Sequence, residues 1–383
     1  MIDCTSVPAT PKKQRDSNLE LYRIITMLLI IAHHYVVNSG LTAADGPIYA
    51  DPLSWRSLFL LLLGAWGKIG INCFVLITGY FMCKSQISAK KFAKLLIPVM
   101  LYKILFFLLF LVTGYEPFSL KLLVKTIVPF VAVGKNFTGC YLIFFLCIPF
   151  LNILLRNLSE KMHIRLLLVM SFAYILFETL PYFSVTMNYV SWFAVLYLIS
   201  SYIRLYPKKL FSSTRLWGIL SLVFISLSIA SVIVCTWLGT KLDKEIAYLF
   251  VTDSNTFLAV GTGLTTFLFF KNLKMKNSRF INSVAASCFG ILLIHTISDT
   301  MRRWLWRDFL KNVETYSSSL LVLHALGSIV GVFVVCAIID HLRIRWIERP
   351  LFRLWDKHWS KVVLWYQRVE SAVCEKLGIH QED

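Results

Sequence analysis

Three ionisable side chains lie on one stripe of the first apolar stretch in the sequence. Glu20 and Arg23 are three residues apart, which makes them neighbours on a helix face. His34 follows Arg23 by eleven residues, about three helical turns, so it shares that face about 16 Å further along the axis. His33 points about 100° away from the stripe. The stripe offers a general base in His34; hydrogen bonds between helices, without any chemistry, are the alternative interpretation.

Two later apolar stretches carry further ionisable groups. Lys68 is too deep to reach the membrane surface and needs a partner or a polar cavity; a buried structural ion pair is the alternative. His295 precedes Asp299 by four residues, and an acid on the same helix face would fix the histidine tautomer. A packed histidine without chemistry is the alternative there. Lys103 is shallower and is expected to snorkel to the membrane surface.

The depth of these groups predicts that they meet. Counted at 1.5 Å per residue, His34, Lys68 and His295 each lie roughly 20 Å from the cytoplasmic edge of their spans. Three ionisable groups from three helices at one level indicate a shared polar cavity in the outer half of the membrane.

The elements that must position them are membrane helices. The chain has 383 residues, of which 57% are hydrophobic and 16% charged, whereas a soluble protein carries about a quarter charged residues. Apolar runs long enough to cross a bilayer recur along the chain. We predict an all-α polytopic bundle of about ten transmembrane helices, near residues 19–39, 57–82, 92–113, 137–155, 164–181, 186–206, 216–238, 246–270, 282–301 and 318–340. Residues 120–133 are too short to cross and predict an interfacial or re-entrant helix.

Basic residues predict the orientation. With the N-terminus inside, the inner segments hold 26 lysines and arginines and the outer ones 10, which places both termini in the cytoplasm. The predicted organisation is a cytoplasmic arm at 1–18, a transmembrane domain at 19–340 and a cytoplasmic tail at 341–383. The tail interleaves arginines with Trp346, Trp355 and Trp359, which is typical of an amphipathic helix on the inner leaflet.

Charge and cysteine content exclude other classes of function. The net charge of +18 follows from the positive-inside rule, and no nucleic-acid-binding motif is present. The nine cysteines form no CxxC pair, so we expect neither a disulfide framework nor a metal site.

The spacing of Arg23 and His34, with Glu20 before the arginine, resembles the signature of acyltransferase family 3. Members of this family are membrane-bound and O-acylate cell-surface glycans and related molecules with acyl-CoA from the cytoplasm. Phe289-Gly290 followed by His295 resembles the late histidine motif of the family.

Weaker blocks extend the resemblance over residues 15–355. They are the second-helix block ending in Thr78-Gly79-Tyr80, the basic loop with Lys90, Lys91, Lys94 and Pro98, the fourth-helix block with Phe137, Tyr141, Pro149 and Asn152, and the closing segment Arg345 to Pro350. Two departures stand out. Asn136 replaces an aromatic residue, and the basic loop has lysines where arginines are frequent, which removes bidentate phosphate contacts.

The resemblance implies roles for these residues. His34 is the expected general base, or relays the acyl group, with Glu20 and Arg23 at the inner entrance and with Lys68 and His295 stabilising the oxyanion or positioning the acceptor. Acetyl-CoA, or another acyl-CoA, is the expected co-substrate and no cofactor is permanently bound. The residues expected to attract its phosphates are Arg23, Lys90, Lys91, Lys94 and Arg204; membrane topology alone also accounts for the basic loop. The expected acceptor is a sugar hydroxyl of a surface or lipid-linked polysaccharide, and the expected location is the bacterial cytoplasmic membrane.

Other classes of function suit a polar cavity in a helix bundle. A transporter or flippase for a glycan or small polar substrate is the main alternative, although no inverted repeat is visible in the sequence. A sensor or polymer-export subunit with an inactive acyltransferase-like core is another. The sequence leaves the oligomeric state open.

Overall fold

The chain is predominantly helical in the part that the structure describes. The computed structural model describes residues 15–128, 136–180, 188–251, 253–358 and 369, and no strand occurs among them. Its helices include α1 (Ser17–Val37), α2 (Trp55–Gly64), α3 (Gly67–Met82), α4 (Ala89–Val112), α5 (Leu120–Ile127), α6 (Phe137–Asn157), α7 (Glu160–Ser171), α8 (Tyr189–Leu205), α9 (Thr214–Leu242), α10 (Phe257–Asn272), α11 (Arg279–Ala286), α12 (Cys288–Thr296), α13 (Asp299–Arg303) and α14 (Leu321–Arg343). The predicted all-α fold class is confirmed.

Within the described part of the chain, eight helical segments are long and apolar enough to cross a membrane. They include α2 and α3 taken together as Trp55–Met82, and α11 and α12 taken together as Arg279–Thr296. Two more predicted spans correspond to shorter helices, α8 with 17 residues and α10 with 16. Each predicted span therefore contains a helix, and the count of ten crossings and the cytoplasmic termini stay predictions.

The chain divides into two compact units, Met1–Cys336 and Ala337–Asp383. All the candidate site residues belong to the first. In the second, helical structure runs on from α14 to His358, and the Arg343 guanidinium bonds Asp340 at 2.7 Å and Glu348 at 2.6 Å. Trp346 is exposed there, and the amphipathic tail on the inner leaflet stays a prediction. Trp359 and most of the residues after it, like residues 1–14 of the arm, lie outside the described residues.

Helix α3 lies at the centre of the first unit and contacts α1, α8 and α10. Gly79 permits the close approach to α8, since a β-carbon there would lie 2.1 Å from Ser200 Oγ and 3.0 Å from Tyr197 Cα. Thr78 and Tyr80 flank this contact. The Thr78 hydroxyl lies 2.8 Å from that of Tyr141 on α6, and Arg204 at the end of α8 donates to the Tyr80 hydroxyl at 2.9 Å.

Many polar groups in the core are paired, as a membrane interior favours. The buried amide of Asn72 donates to the Ser254 carbonyl at 2.6 Å and accepts from the Trp192 indole at 3.0 Å. Apolar side chains instead face outward, notably along α4 and α9, whose spans are only 22% buried. Apolar side chains on the outside, with ionisable groups such as Glu20 and His295 inside, are what a lipid environment selects.

The direction of the helices defines two ends of the bundle. Helices α1 and α4 begin at one end, where α3, α6 and α8 finish; we call this the N-terminal end. Ser17 and Asn282 bond there at 2.9 Å between their side chains. Helices α1, α4 and α12 finish at the opposite end, where α6 and α8 begin. The predicted topology places the N-terminal end in the cytoplasm.

Candidate active site

A chain of hydrogen bonds joins two histidines from opposite ends of the sequence. His34, near the end of α1, places its Nδ1 3.0 Å from Nε2 of His295, near the end of α12. The other ring nitrogen of His295, Nδ1, lies 2.6 Å from the carbonyl oxygen of Ile291 in the same helix. His295 is fully buried, whereas His34 is partly exposed.

The Ile291 carbonyl at the end of these hydrogen bonds determines which ring nitrogen of each histidine carries the proton. A carbonyl oxygen only accepts, so Nδ1 of His295 must carry the proton. Nε2 of a neutral His295 then accepts, and Nδ1 of His34 donates to it. The remaining nitrogen of a neutral His34, Nε2, consequently bears a lone pair. Among the described residues Nε2 has no hydrogen-bond partner, so it is available as a base.

The adjacent histidine has a different environment. Nδ1 of His33 lies 2.6 Å from the Gly64 carbonyl, which holds the ring against the junction of α2 and α3. The expected partner of His295 is also different. Asp299 does not bond His295, because α12 ends at Thr296 and Asp299 begins α13, where its carboxylate pairs with Arg302. The helix break therefore invalidates the predicted i, i+4 pair, and His34 occupies the place expected for the acid.

His34 and Lys68 line one cavity of about 660 Å³. The ammonium group of Lys68 donates to the Tyr189 hydroxyl at 2.7 Å and lies 5.4 Å from the centre of that ring. Lys68 therefore has a hydrogen-bonding partner rather than the structural ion pair considered as its alternative. Phe106, Phe107 and Phe110 of α4 supply an apolar wall. The cavity lies toward the end of the bundle opposite the N-terminal end. His295 does not line the cavity. It contacts His34 through the hydrogen bond between its Nε2 and Nδ1 of His34.

Glu20 and Arg23 form the predicted pair near the other end of α1, about three helical turns from His34. Arg23 Nη1 lies 2.6 Å from Glu20 Oε2, and Arg15 approaches the other carboxylate oxygen at 3.8 Å. Glu20 is buried, while the Arg23 side chain is 24% exposed. Neither residue lines the cavity that contains His34.

The basic residues expected to attract CoA lie at the N-terminal end. Lys90, Lys91 and Lys94 begin α4, and the ammonium group of Lys91 donates to Ser85 Oγ at 2.5 Å. Arg204 ends α8 and lies over the Tyr80 ring, 4.7 Å from its centre. The structure does not bring these four residues to the His34 cavity. They are separated from it by most of the length of the helices that carry them.

Comparison with protein families identifies the family to which this chain belongs. The family model described as an acyltransferase domain matches residues 16–341, which includes every candidate site residue. The chain belongs to acyltransferase family 3. No curated protein and no solved structure matches it. Membership makes the chain a multi-pass membrane acyltransferase.

The residue blocks that resemble the second and fourth helices of the family lie in α3 and α6 and make contacts between helices. The Thr78-Gly79-Tyr80 segment packs α3 on α8 and bonds Tyr141 and Arg204. Asn152 accepts from the Tyr197 hydroxyl at 2.5 Å and donates to the Met82 carbonyl at 3.2 Å. These contacts hold the helices around the site together, while Phe137 of the fourth-helix block lines the cavity itself.

Three cavity residues were missed or misjudged from the sequence. Lys103 lines the cavity and donates to the Lys125 carbonyl at 3.1 Å; its reach to the membrane surface stays a prediction. Tyr189 had no distinguishing signal, because a tyrosine that begins a span is ordinary. Asn136, the departure from the family pattern, caps α6 by accepting from the Gly139 amide at 2.7 Å and also lines the cavity. Its position before a helix was a usable capping signal.

Proposed function

We propose that this acyltransferase moves an acyl group, in the first instance acetyl, from cytoplasmic acyl-CoA to a sugar hydroxyl of a surface or lipid-linked polysaccharide, in a bacterial cytoplasmic membrane. One observation carries the proposal. The hydrogen bonds from His34 through His295 to the Ile291 carbonyl leave a basic nitrogen on the wall of a polar cavity.

The chemistry of the step follows from that nitrogen. Nε2 of His34 takes the proton of the acceptor hydroxyl while the hydroxyl oxygen attacks the thioester carbonyl. The Lys68 ammonium stabilises the oxyanion that forms. When the intermediate collapses, the C–S bond breaks, the ester forms and CoA leaves as a thiolate that receives the proton from His34. An alternative route, in which the same nitrogen first carries the acyl group, uses the same residues.

The donor is proposed to approach from the opposite end of the bundle. Lys90, Lys91, Lys94 and Arg204 would attract the phosphates of acyl-CoA in the cytoplasm, with Arg23 and Glu20 along the path inward. From Lys94 to Phe110 on the cavity wall, α4 rises about 24 Å. The acyl end of the donor therefore has to enter the bundle, while the acceptor approaches from the cavity side.

The test uses the full chain in liposomes with radiolabelled acetyl-CoA and a lipid-linked oligosaccharide acceptor. We expect label in the acceptor together with an equal amount of free CoA, and no transfer by a His34→Ala variant. A carrier would move the oligosaccharide across the liposome membrane without releasing CoA. Movement of the acceptor with no CoA released by the wild-type protein would reject the proposal in favour of the transporter.

A further inference from the structure

The cavity that contains His34 is strongly basic although it opens at the end where basic residues are rare. Seven lysine, arginine, aspartate and glutamate side chains line it: Lys68, Lys103, Lys125, Arg302, Arg303, Glu116 and Asp299. Five of the seven are basic. The predicted outer segments hold few of the basic residues in the chain, because translocation disfavours them. Their concentration at this cavity therefore requires a separate reason.

Both acidic groups of the cavity are already paired. Glu116 accepts from Arg303 at 2.8 Å, and Asp299 pairs with Arg302. A hydrogen bond to Tyr115 and the charge of Glu116 raise the pKa of Arg303, in keeping with a stable pair. The two arginines consequently neutralise the two acids, and the three lysines account for the net positive charge of the cavity.

The three lysines make no ion pair among the described residues. Lys68 bonds the Tyr189 hydroxyl, and Lys103 bonds the backbone carbonyls of Lys125 and Val128. These partners are neutral, so no acidic side chain balances either ammonium. Lys68 and Lys103 are partly buried, while Lys125 is exposed. Partly buried charges of one sign are costly unless a ligand of the opposite sign balances them.

We propose that the cavity selects an acceptor that bears an anionic group, a carboxylate or a phosphate, bound by Lys103 and Lys125 while its hydroxyl faces His34 and Lys68 remains beside the reacting carbonyl. The proposal rests on the proposed function for the identity of the ligand as an acceptor. Acyl-CoA is a poorer source of this anion, because the basic loop that suits its phosphates lies at the N-terminal end of the bundle. An anionic lipid headgroup offers the same chemistry, and the experiment separates the two.

The experiment measures binding of glucose, glucuronate and glucose 6-phosphate by saturation-transfer NMR to the full chain in neutral phosphatidylcholine nanodiscs. Glucose and glucuronate differ only at carbon 6, so their comparison isolates the charge. We expect either anion to bind about fivefold tighter or more, the effect of one screened ion pair. A Lys103→Met/Lys125→Met double variant should lose this preference. Lys121→Met is the matched control, because Lys121 lies on the same helix α5 but not on the cavity wall.

Size-exclusion profiles of all the variants establish that they are folded. Equal binding of glucose and glucuronate by the wild-type protein would overturn the proposal, as would a preference that survives in the double variant. A preference that vanishes when phosphatidylglycerol replaces phosphatidylcholine would also overturn it, since the lysines would then bind lipid. Binding separates this inference from the proposed function: anion preference without acetyl transfer refutes the function alone, and transfer without anion preference refutes the inference alone.

Discussion

Gly67 lies directly against the imidazole of His33, so closely that a β-carbon at position 67 would fall 2.1 Å from His33 Cγ. The same ring bonds the Gly64 carbonyl at 2.6 Å. His33 is thus wedged between α1 and the junction of α2 and α3. A larger side chain at position 67 would push against this ring and rotate α1, which would turn the neighbouring His34.

The contact predicts that Gly67→Ala impairs catalysis. The added methyl group must displace His33, at the 1–3 kcal/mol typical of overpacking, and α1 then turns His34 away from His295. We expect acyl transfer per unit of folded protein to fall by about tenfold or more. Gly327→Ala is the control, because no atom lies within 4 Å of the β-carbon it would add. Equal activity of the two variants would contradict the proposed role of the wedge.

Substitutions of His34 test its role as the base. A general base contributes about 10²–10⁴-fold in rate, so His34→Ala should abolish transfer at normal membrane abundance. His34→Gln should fail as well, because glutamine hydrogen-bonds but accepts no proton near neutral pH. His33→Ala should retain most activity per folded molecule and lose stability, since it leaves the Gly64 carbonyl unpaired. Substantial activity in His34→Gln, or equal losses at both positions, would refute the assignment.

The role of His295 as a positioning residue makes a separate prediction. Its Nε2 accepts from His34 Nδ1, and a glutamine side-chain oxygen can accept in the same way. His295→Gln should therefore keep part of the activity, whereas His295→Leu should lose about 10–100-fold, the range found for partners that orient metal-bound histidines. The measurement is kcat with protein stability determined in parallel. If both variants lose activity equally while remaining folded, the tautomer argument is wrong.

Arg23→Lys should impair transfer while leaving the protein folded. Lysine keeps the positive charge beside Glu20 but loses the planar fork of the guanidinium. Arg15→Lys provides the control, since Arg15 is half-exposed and approaches Glu20 only at 3.8 Å. The assay is acetyl transfer over a range of acetyl-CoA concentrations. Wild-type behaviour of Arg23→Lys would show that position 23 needs only a charge.

The predicted topology places Lys208 in the cytoplasm and Lys241 outside. Helix α9 separates them with 29 residues, about 43 Å of helix, which is enough to cross the bilayer. Reporter fusions ending at each lysine should therefore report opposite sides. Two fusions on the same side would refute the topology and, with it, the cytoplasmic approach of the donor.

The amino-acid sequence by itself determines much of this arrangement. In lipid every backbone polar group must bond internally, so an apolar run of sufficient length has to become a helix. Each predicted span accordingly contains one. The helical repeat likewise makes Glu20 and Arg23 neighbours and separates His34 from His33 around α1, because these relationships need only one helix.

The contacts between helices were decided by the tertiary structure alone. His34 and His295 are 261 positions apart, and periodicity within one helix does not say which neighbour its polar face meets. The sequence suggested Asp299 as the partner of His295. The break after α12 prevents this pair, and the packing of α1 against α12 gives His295 the partner His34 instead. Local spacing determined which side chains share a face of one helix. The packing of helices that are distant in sequence determined which of those faces enclose the cavity and which partner each charged side chain has.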